Sequence, residues 1–494
     1  MRPATLARLA LTGSRTDTLR IVFTSASGAL AALILLAAAT VAAVPEAAGA
    51  GEGGVVSRYR PTLLAEDGLR PGVVATLLLL AVPVLALAGQ CIRFGSPARD
   101  RRLAALRLAG ATPGQAVLVA AGETAGAALL GSLSGLLIYL VGRWALDRPV
   151  AGQRSLPTDV LPSAPVLAGI VLLVPVVGGL AGAFLLRKVI VTPLGVVRRT
   201  RERRPSVLPG ALIIAGVFAP FVLSPLGRWL IRVTSGVSAT VVLLTMMLLV
   251  VAAVLGVVLG TGWIAYTTGR LLRRFARRPA ALLAGRQLMA DPWSGSRMFA
   301  ALLAAVIVGA GVSGYRAYLA TQFAVEAEMA RRTGDESGYD TAFYFGAIDL
   351  IDLTVAIAVV IAAAGILIAL AEGVVSRRRA YAILVATGVP RRTLGAAIAW
   401  QTLAPLLPAT LVALTVGVSL VRAPGATVSS SITSSNCDGP PCAATVVAVT
   451  RHVPLPLADL TVLGVGTLAI MALVVAVGFV LLRMSTDPSE LRAA

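Results

Sequence analysis

Side chains that ordinarily carry chemistry are scarce in this 494-residue chain. It has one histidine, His452, so neither a His-based catalytic triad nor a His-rich metal site can be assembled within it. Its one lysine, Lys188, follows Ala-Gly-Ala-Phe-Leu-Leu-Arg, which lacks the glycines that cradle phosphate in a P-loop. Three cysteines, Cys91, Cys437 and Cys442, are too few for a Cys-ligated zinc or iron-sulfur centre of ordinary spacing. Carboxylates within the apolar runs are few: Glu123 lies about two turns into the third run, while Asp349 and Asp352 sit at the start of the eighth. Proton-coupled carriers usually place several ionisable groups near the bilayer midplane, so an ion-coupled transporter is the least favoured reading. No catalytic residue, cofactor site or metal site is expected in this chain.

What stands out instead is a pair of short arginine-studded segments. Residues 101–116 read RRLAALRLAGATPGQA, and residues 378–393 read RRAYAILVATGVPRRT. Each begins with good helix formers, reaches a glycine suited to a helix C-terminus (Gly110, Gly388), and meets a proline that prevents simple continuation. The spacing predicts a short surface helix. In the first copy Leu103, Leu106 and Ala109 or Gly110 share a face, with Arg99, Arg102 and Arg107 turned to headgroups or an acidic partner. A single copy reads equally well as an interfacial anchor; two copies on one side of the membrane favour a docking surface.

The elements that position these segments follow from composition. Hydrophobic residues make up 57% of the chain, charged residues 13%, and mean hydropathy is +0.87, the profile of a polytopic membrane protein. Apolar runs near 20–44, 72–92, 115–142, 164–187, 207–226, 236–264, 298–320, 350–375, 394–421 and 457–483 predict about ten transmembrane helices and an all-α fold. The first run is too long for a secretory h-region and is expected to be retained. Net charge is +20, but roughly 30 of the 43 Lys and Arg residues fall on one side if both termini are cytoplasmic, which sets the orientation. VRRTRERR (197–204) and RLLRRFARRP (270–279) then read as topology anchors facing anionic headgroups, and no interleaved aromatics support nucleic acid as a partner.

An offset of 278 residues superposes the two segments without a gap: Arg101 on Arg379, Ala104 on Ala382, Leu106 on Leu384, Gly110 on Gly388 and Glu123 on Gln401. The flanking runs superpose six spans apart, and an even separation means that both copies point the same way. The organisation expected is a first helix with a short external segment (1–71), a three-helix copy (72–187), basic loops and two connecting helices (188–297), a seventh helix with a second short segment (298–349), the second copy (350–483) and a cytoplasmic tail (484–494).

An Arg-Arg pair, an Ala/Leu helix, Gly-Ala-Thr or Thr-Gly-Val, and then an apolar helix with a Glu about 13 residues past the glycine resemble the FtsX-like permeases, membrane subunits of MacB-fold (type VII) ABC transporters. The resemblance implies that the two loop helices are coupling helices, with Arg101, Arg102, Leu103, Leu106, Arg107 and Gly110 in one and Arg379, Tyr381, Leu384, Gly388 and Pro390 in the other. It implies a separate cytoplasmic ABC ATPase, which binds the ATP and Mg, and residence in a bacterial cytoplasmic membrane. A duplicated chain offers a two-fold partner both of its halves, so two ATPase copies per permease chain are expected. Departures are Gln401 in place of the Glu, Pro390-Arg391 after Gly388, and no large external domain. The leading function is coupling of ATP hydrolysis to export or extraction of an amphiphile, such as a peptide antibiotic, lipid or lipoprotein, at the outer leaflet. The alternative is a mechanotransmitter acting on a cell-wall hydrolase or a sensor kinase without transport. Because the second copy uses Gln401, Glu123→Gln is expected to be mild.

Cys437 and Cys442 flank Asp-Gly-Pro-Pro, a turn sequence, in the expected external loop before the last helix, where an oxidising compartment permits a disulfide. If they are bridged, maleimide added to intact cells should label neither until a reductant is supplied; immediate labelling of both would refute the bridge.

Overall fold

The computed structural model describes residues 15–45, 59, 61–65, 70–93, 105, 108–148, 154–190, 211, 239–290, 292, 299–333, 341–376, 378–422, 426–436 and 443–485. In chain order its helices are α1 (Arg15–Ala42), the short α2 (Thr62–Ala65), α3 (Arg70–Arg93), α4 (Pro113–Leu146), α5 (Ala164–Ile190), α6 (Ala239–Phe275), α7 (Pro279–Ala290), α8 (Ala300–Thr333), α9 (Thr341–Ser376), α10 (Arg378–Ala386), α11 (Arg391–Arg422) and α12 (Leu457–Ser485). Eight of them are long and apolar enough to cross a membrane: α1, α3, α4, α5, α8, α9, α11 and α12. These coincide with eight of the ten apolar runs. Residues 239–264 of the run at 236–264 lie within α6, and the rest of that run, like the run at 207–226 apart from Ala211, lies outside the described residues.

Two features differ from the sequence expectation. First, α8 and α9 run well past their apolar stretches, so most of the segment expected as an external loop at 321–348 is the end of one helix and the start of the next. At about 1.5 Å per residue, the 34 residues of α8 reach roughly 50 Å, beyond a hydrocarbon core of about 30 Å. Second, within the helical fold the segment expected as an external loop before the last helix carries a strand pair: Thr427–Asn436 (β1) and Ala443–His452 (β2) pair antiparallel, Thr427 opposite His452 and Asn436 opposite Ala443. Alternation explains it, since Val428, Val447 and Val449 fall on one face and pack against Val325 and Met329 of α8. Cys437 and Cys442 lie outside the described residues.

The chain divides into two compact units, one of Met1–Arg203, Val360–Gly395 and Leu473–Ala494, the other of Arg204–Val359 and Ala396–Ala472. In the first, α4 is sandwiched between α1 and α5, and α1 also packs on α3. Glycines bring the backbones together: a Cβ on Gly131 would lie 2.3 Å from the Ser25 carbonyl oxygen, and one on Gly135 2.7 Å from that of Ala29. Without a hydrophobic force between helices in lipid, such close packing and interhelical hydrogen bonds are what hold them. Ser25 Oγ donates to the Ala127 carbonyl at 2.9 Å, and the Thr40 and Tyr139 hydroxyls lie 2.7 Å apart. Pro175 in α5 frees the Val171 carbonyl, and Ser132 Oγ of α4 donates to it at 3.0 Å. At the far end of α1 the buried Arg70 guanidinium donates to the carbonyls of Val44, Pro45, Leu64 and Ala65, tying α1, α2 and α3. Beyond the end of α4, a hydrogen bond from Arg154 holds the Asp147 carboxyl below its ordinary pKa.

In the second unit α8 packs on α9, α11 and α12. A Cβ on Gly309 would meet Val355 and Leu463 at 2.9 Å, and one on Gly417 would meet the Ile307 carbonyl oxygen at 2.4 Å. Arg316 of α8 donates to both Asp349 (2.5 Å) and Asp352 (2.8 Å) of α9.

Gly131→Val must push α1 and α4 apart, because the obstruction is backbone rather than a flexible side chain; overpacking of this kind costs about 1–3 kcal/mol or more. Gly142→Ala, where nothing lies within 4 Å, is the control. In detergent, the thermal midpoint of the full chain should fall for Gly131→Val and stay put for Gly142→Ala; equal midpoints would refute the close approach.

Candidate functional site

Both repeat segments end in the same turn. Gly110 and Gly388 each have φ of +93°, the left-handed region that an L side chain adopts only with strain. In the second copy α10 closes with a Schellman pattern, Val389 N–H donating to the Leu384 carbonyl and Gly388 N–H to that of Val385, each at 3.0 Å. In the first, Ala109 N–H donates to the Ala105 carbonyl at 3.0 Å, one helical turn before the glycine. A long membrane-crossing helix follows at once: α4 starts at Pro113 and α11 at Arg391, again 278 residues apart.

Starts of the two long helices differ. Thr112 caps α4 through a reciprocal capping box, Thr112 Oγ1 accepting from Gln115 N–H at 3.3 Å and Thr112 N–H donating to Gln115 Oε1 at 3.1 Å. The counterpart of Thr112 is Pro390, whose ring offers no oxygen for a cap. Only the backbone serves there, Pro390 carbonyl accepting from Thr393 N–H at 2.9 Å.

The expected contact residues fall as follows. Gly110, Leu384, Gly388 and Pro390 are exposed on the turns, Tyr381 is half-buried, and Arg379 lies within α10. Arg101, Arg102, Leu103, Leu106 and Arg107 lie outside the described residues. Sequence reasoning passed over Leu108, which is 91% exposed beside Gly110, and Ile383, exposed on α10. A large apolar side chain next to an obligatory glycine, on a short segment between two spans, was the available signal.

Glu123 lies about 15 Å along α4 from the turn at 1.5 Å per residue, and its partner is Arg20 of α1, with Nη2 2.7 Å from Oε2. Their side chains are 8% and 6% exposed. Arg20 stands at the edge of the first apolar run, where it reads as a flanking charge. The ion pair lies on the face that α4 turns to α1, together with Ser25 and Gly131.

The buried faces of α4 and α11 coincide in register. Ala116, Val119, Thr124, Ala127, Ala128, Gly131, Ser132 and Gly135 are buried, and so are Leu394, Ala397, Thr402, Pro405, Leu406, Ala409, Thr410 and Ala413 at +278. Thr124 and Thr402 even make the same bond, each donating to the carbonyl four residues back, at 2.9 and 3.1 Å. Polar partners are not duplicated. Gln401 replaces Glu123, and the Thr410 hydroxyl, 2% exposed, has no partner among the described residues where Ser132 has Val171. The α11 helix also carries Pro405 and Pro408, whereas α4 has no proline past its first residue.

Among the described residues no group of three or more His, Cys, Asp or Glu side chains is placed to hold a metal ion. Two exposed turns, each fixed by a glycine, continue directly into long helices of membrane-crossing length.

Arg20 alters the outcome expected at Glu123. Replacing Glu123 with Gln leaves the guanidinium buried without its counter-charge, which costs about 3–5 kcal/mol, so the substitution should be severe rather than mild. Arg20→Gln combined with Glu123→Gln should recover much of the loss. Thermal midpoints of the four proteins form the cycle; additive losses would show that the two side chains do not interact.

The chain matches the family model of the FtsX-like permease C-terminal domain over residues 72–194 and 353–488. No curated protein and no solved structure matches it. The two matched stretches each contain one glycine turn with the long helix that follows it, and together they span a little over half of the 494 residues. A helical, multi-pass membrane chain with this motif twice over belongs to the FtsX-like permease family, and so is of the ABC-type permease subunit kind, whose members generally pair with ABC ATPases.

Proposed function

We propose that this permease couples ATP hydrolysis in a separate cytoplasmic ATPase to the export or extraction of an amphiphilic molecule, such as a peptide antibiotic, lipid or lipoprotein, at the outer leaflet. The reading rests chiefly on the paired turns, Gly110 and Gly388 at the same φ, each exposed and each leading into a long helix that crosses the membrane. The arginine asymmetry of the loops supports a cytoplasmic location for both turns and both termini. Two turns in one chain suit a two-fold partner, so one permease chain serves two ATPase copies.

Hydrolysis belongs to the partner, which supplies the site for ATP and Mg. Closure of the ATPase dimer presses on Leu108 and Gly110 in one copy and on Tyr381, Ile383, Leu384, Gly388 and Pro390 in the other. From the first turn the push enters α4 and passes to α1 through the Arg20–Glu123 pair and the glycine contact. From the second it enters α11, whose prolines leave carbonyls unpaired along the helix and so permit bending.

Any L residue at Gly110 or Gly388 is strained by the backbone alone. Gly110→Val and Gly388→Val should therefore leave insertion and ATPase binding largely intact while cutting substrate-stimulated ATP hydrolysis roughly tenfold, a change of about 1.4 kcal/mol in the coupled step. The measurement is hydrolysis by the complex purified from its native membrane, with the ATPase-to-permease ratio determined alongside. No ATPase in that preparation, or full stimulation in the double variant, would overturn the reading. Stimulation without movement of any amphiphile between leaflets of reconstituted vesicles would favour the mechanotransmitter.

A further inference from the structure

The connecting region holds a basic surface that the coupling reading does not use. Between Ala239 and Ala290 the chain has six arginines and no Asp or Glu. Arg270, Arg273, Arg274, Arg277, Arg278 and Arg286 are all exposed, and none is ion-paired among the described residues. They sit on a two-helix hairpin in which α7 folds back along the last turns of α6. Packing holds the hairpin in shape: a Cβ on Gly269 would lie 2.9 Å from Leu288 Cβ and 3.0 Å from the Gly285 carbonyl oxygen. Ala280, Ala281, Ala284 and Leu288 are buried on α7, and Ile264, Ala265 and Thr268 on α6. The Arg278 carbonyl accepts from Ala281 and Leu282 N–H at 3.1 and 3.2 Å, which fixes the turn between the helices.

Apolar side chains decide what the arginines face. Leu271 and Phe275 are 57% and 67% exposed, and Leu282 and Leu283 are exposed on α7. In water that surface would be an uncovered apolar patch among repelling charges. At the boundary between acyl chains and headgroups both halves are satisfied, the apolar groups inserted and the guanidinium groups on phosphate. Trp263 and Tyr266, one to two turns before Arg270, are the side chains that settle at such a boundary. A cluster of this size at the end of a long, largely apolar helix matches anionic lipid in charge.

We propose that the α6–α7 hairpin is a binding site for the phosphate headgroups of anionic phospholipids, separate from the two turns. Its packing sets it apart from a loose run of flanking charges: six exposed arginines stand on two helices held against each other at Gly269 and Gly285, so the hairpin selects a headgroup by charge and retains it through detergent extraction. The ligand class is an anionic glycerophospholipid, for which phosphatidylglycerol is the probe.

Native mass spectrometry of the full chain in detergent, titrated with phosphatidylglycerol or with phosphatidylcholine, reads the site. Phosphatidylglycerol should be retained about fivefold or more over phosphatidylcholine, the factor that one basic side chain near a charged surface supplies. Replacing Arg273, Arg274, Arg277 and Arg278 together by Gln should remove the preference, and replacing the same four by Lys should keep most of it. Leu271→Ser with Phe275→Ser leaves every charge in place and should weaken retention of both lipids, so the inference does not depend on one variant folding. Equal retention of the two lipids by the native chain, or an unchanged preference in a well-folded Gln variant, would overturn it. So would a Gln variant that keeps its lipids and loses a co-purifying protein, which would make the hairpin a protein-docking element. None of these outcomes bears on hydrolysis coupled through Gly110 and Gly388.

Discussion

Close approach of backbones is the constraint on which this structure depends. In lipid the apolar effect that assembles a soluble core gives helices no reason to prefer one another over acyl chains. Association must come from dispersion at short range and from hydrogen bonds that the bilayer cannot offer. Gly131 and Gly135 let α1 reach the backbone of α4, and Gly417 does the same for α8 and α11. Once the backbones are that near, short hydroxyl side chains can reach across, as Ser25 and Thr40 do. Only then can the buried Arg20–Glu123 pair be tolerated, because the charges leave water together and meet at a fixed distance.

Duplication kept the packing surface and let the polar chemistry drift. Eight of the nine buried residues of α4 have a buried counterpart in α11, including the two back-bonded threonines; the exception is Ala120, matched by the half-buried Ile398. The bonding differs where a proline differs. Pro175 opens a carbonyl in α5 that Ser132 closes; α12 has no internal proline, so the Thr410 hydroxyl has no freed carbonyl to find. In α11 the prolines lie within the long helix itself. The first copy therefore carries a hydroxyl-to-carbonyl contact between its helices, and the second carries prolines within its long helix, where a helix bends.

Much of this was legible from residue order. Apolar runs gave eight of the spans, and a gap-free offset of 278 gave both the glycine turns and the starts of α4 and α11. Composition gave those results because a helix in lipid must be apolar over a set length, and an αL turn must be glycine. Partners were less legible. Arg20 could not be assigned to Glu123, since two positions about 100 residues apart are joined only by the packing of α1 on α4. The β-hairpin was read as a loop because its strands are rich in Ser, Thr and small residues, and only a few alternate valines meet α8. Likewise the ends of α8 and α9 carry charges that end an apolar run without ending a helix, as the Arg316 contacts to Asp349 and Asp352 show.

The extended α8 has a mechanical consequence. Its C-terminal half holds the hairpin through Val325 and Met329, against Val428, Val447 and Val449, while the strands run on beyond those contacts to Asn436 and Ala443. Strands rise about 3.3 Å per residue, so the arm past Ile432, the partner of Val447, reaches roughly 13 Å to Asn436. A tilt of about 10° at the base sweeps its end by roughly 2 Å, whereas the helix axis beside the contact hardly moves. The hairpin is in this sense a pointer: a rotation of α8 is turned into a displacement at the far end of the strands.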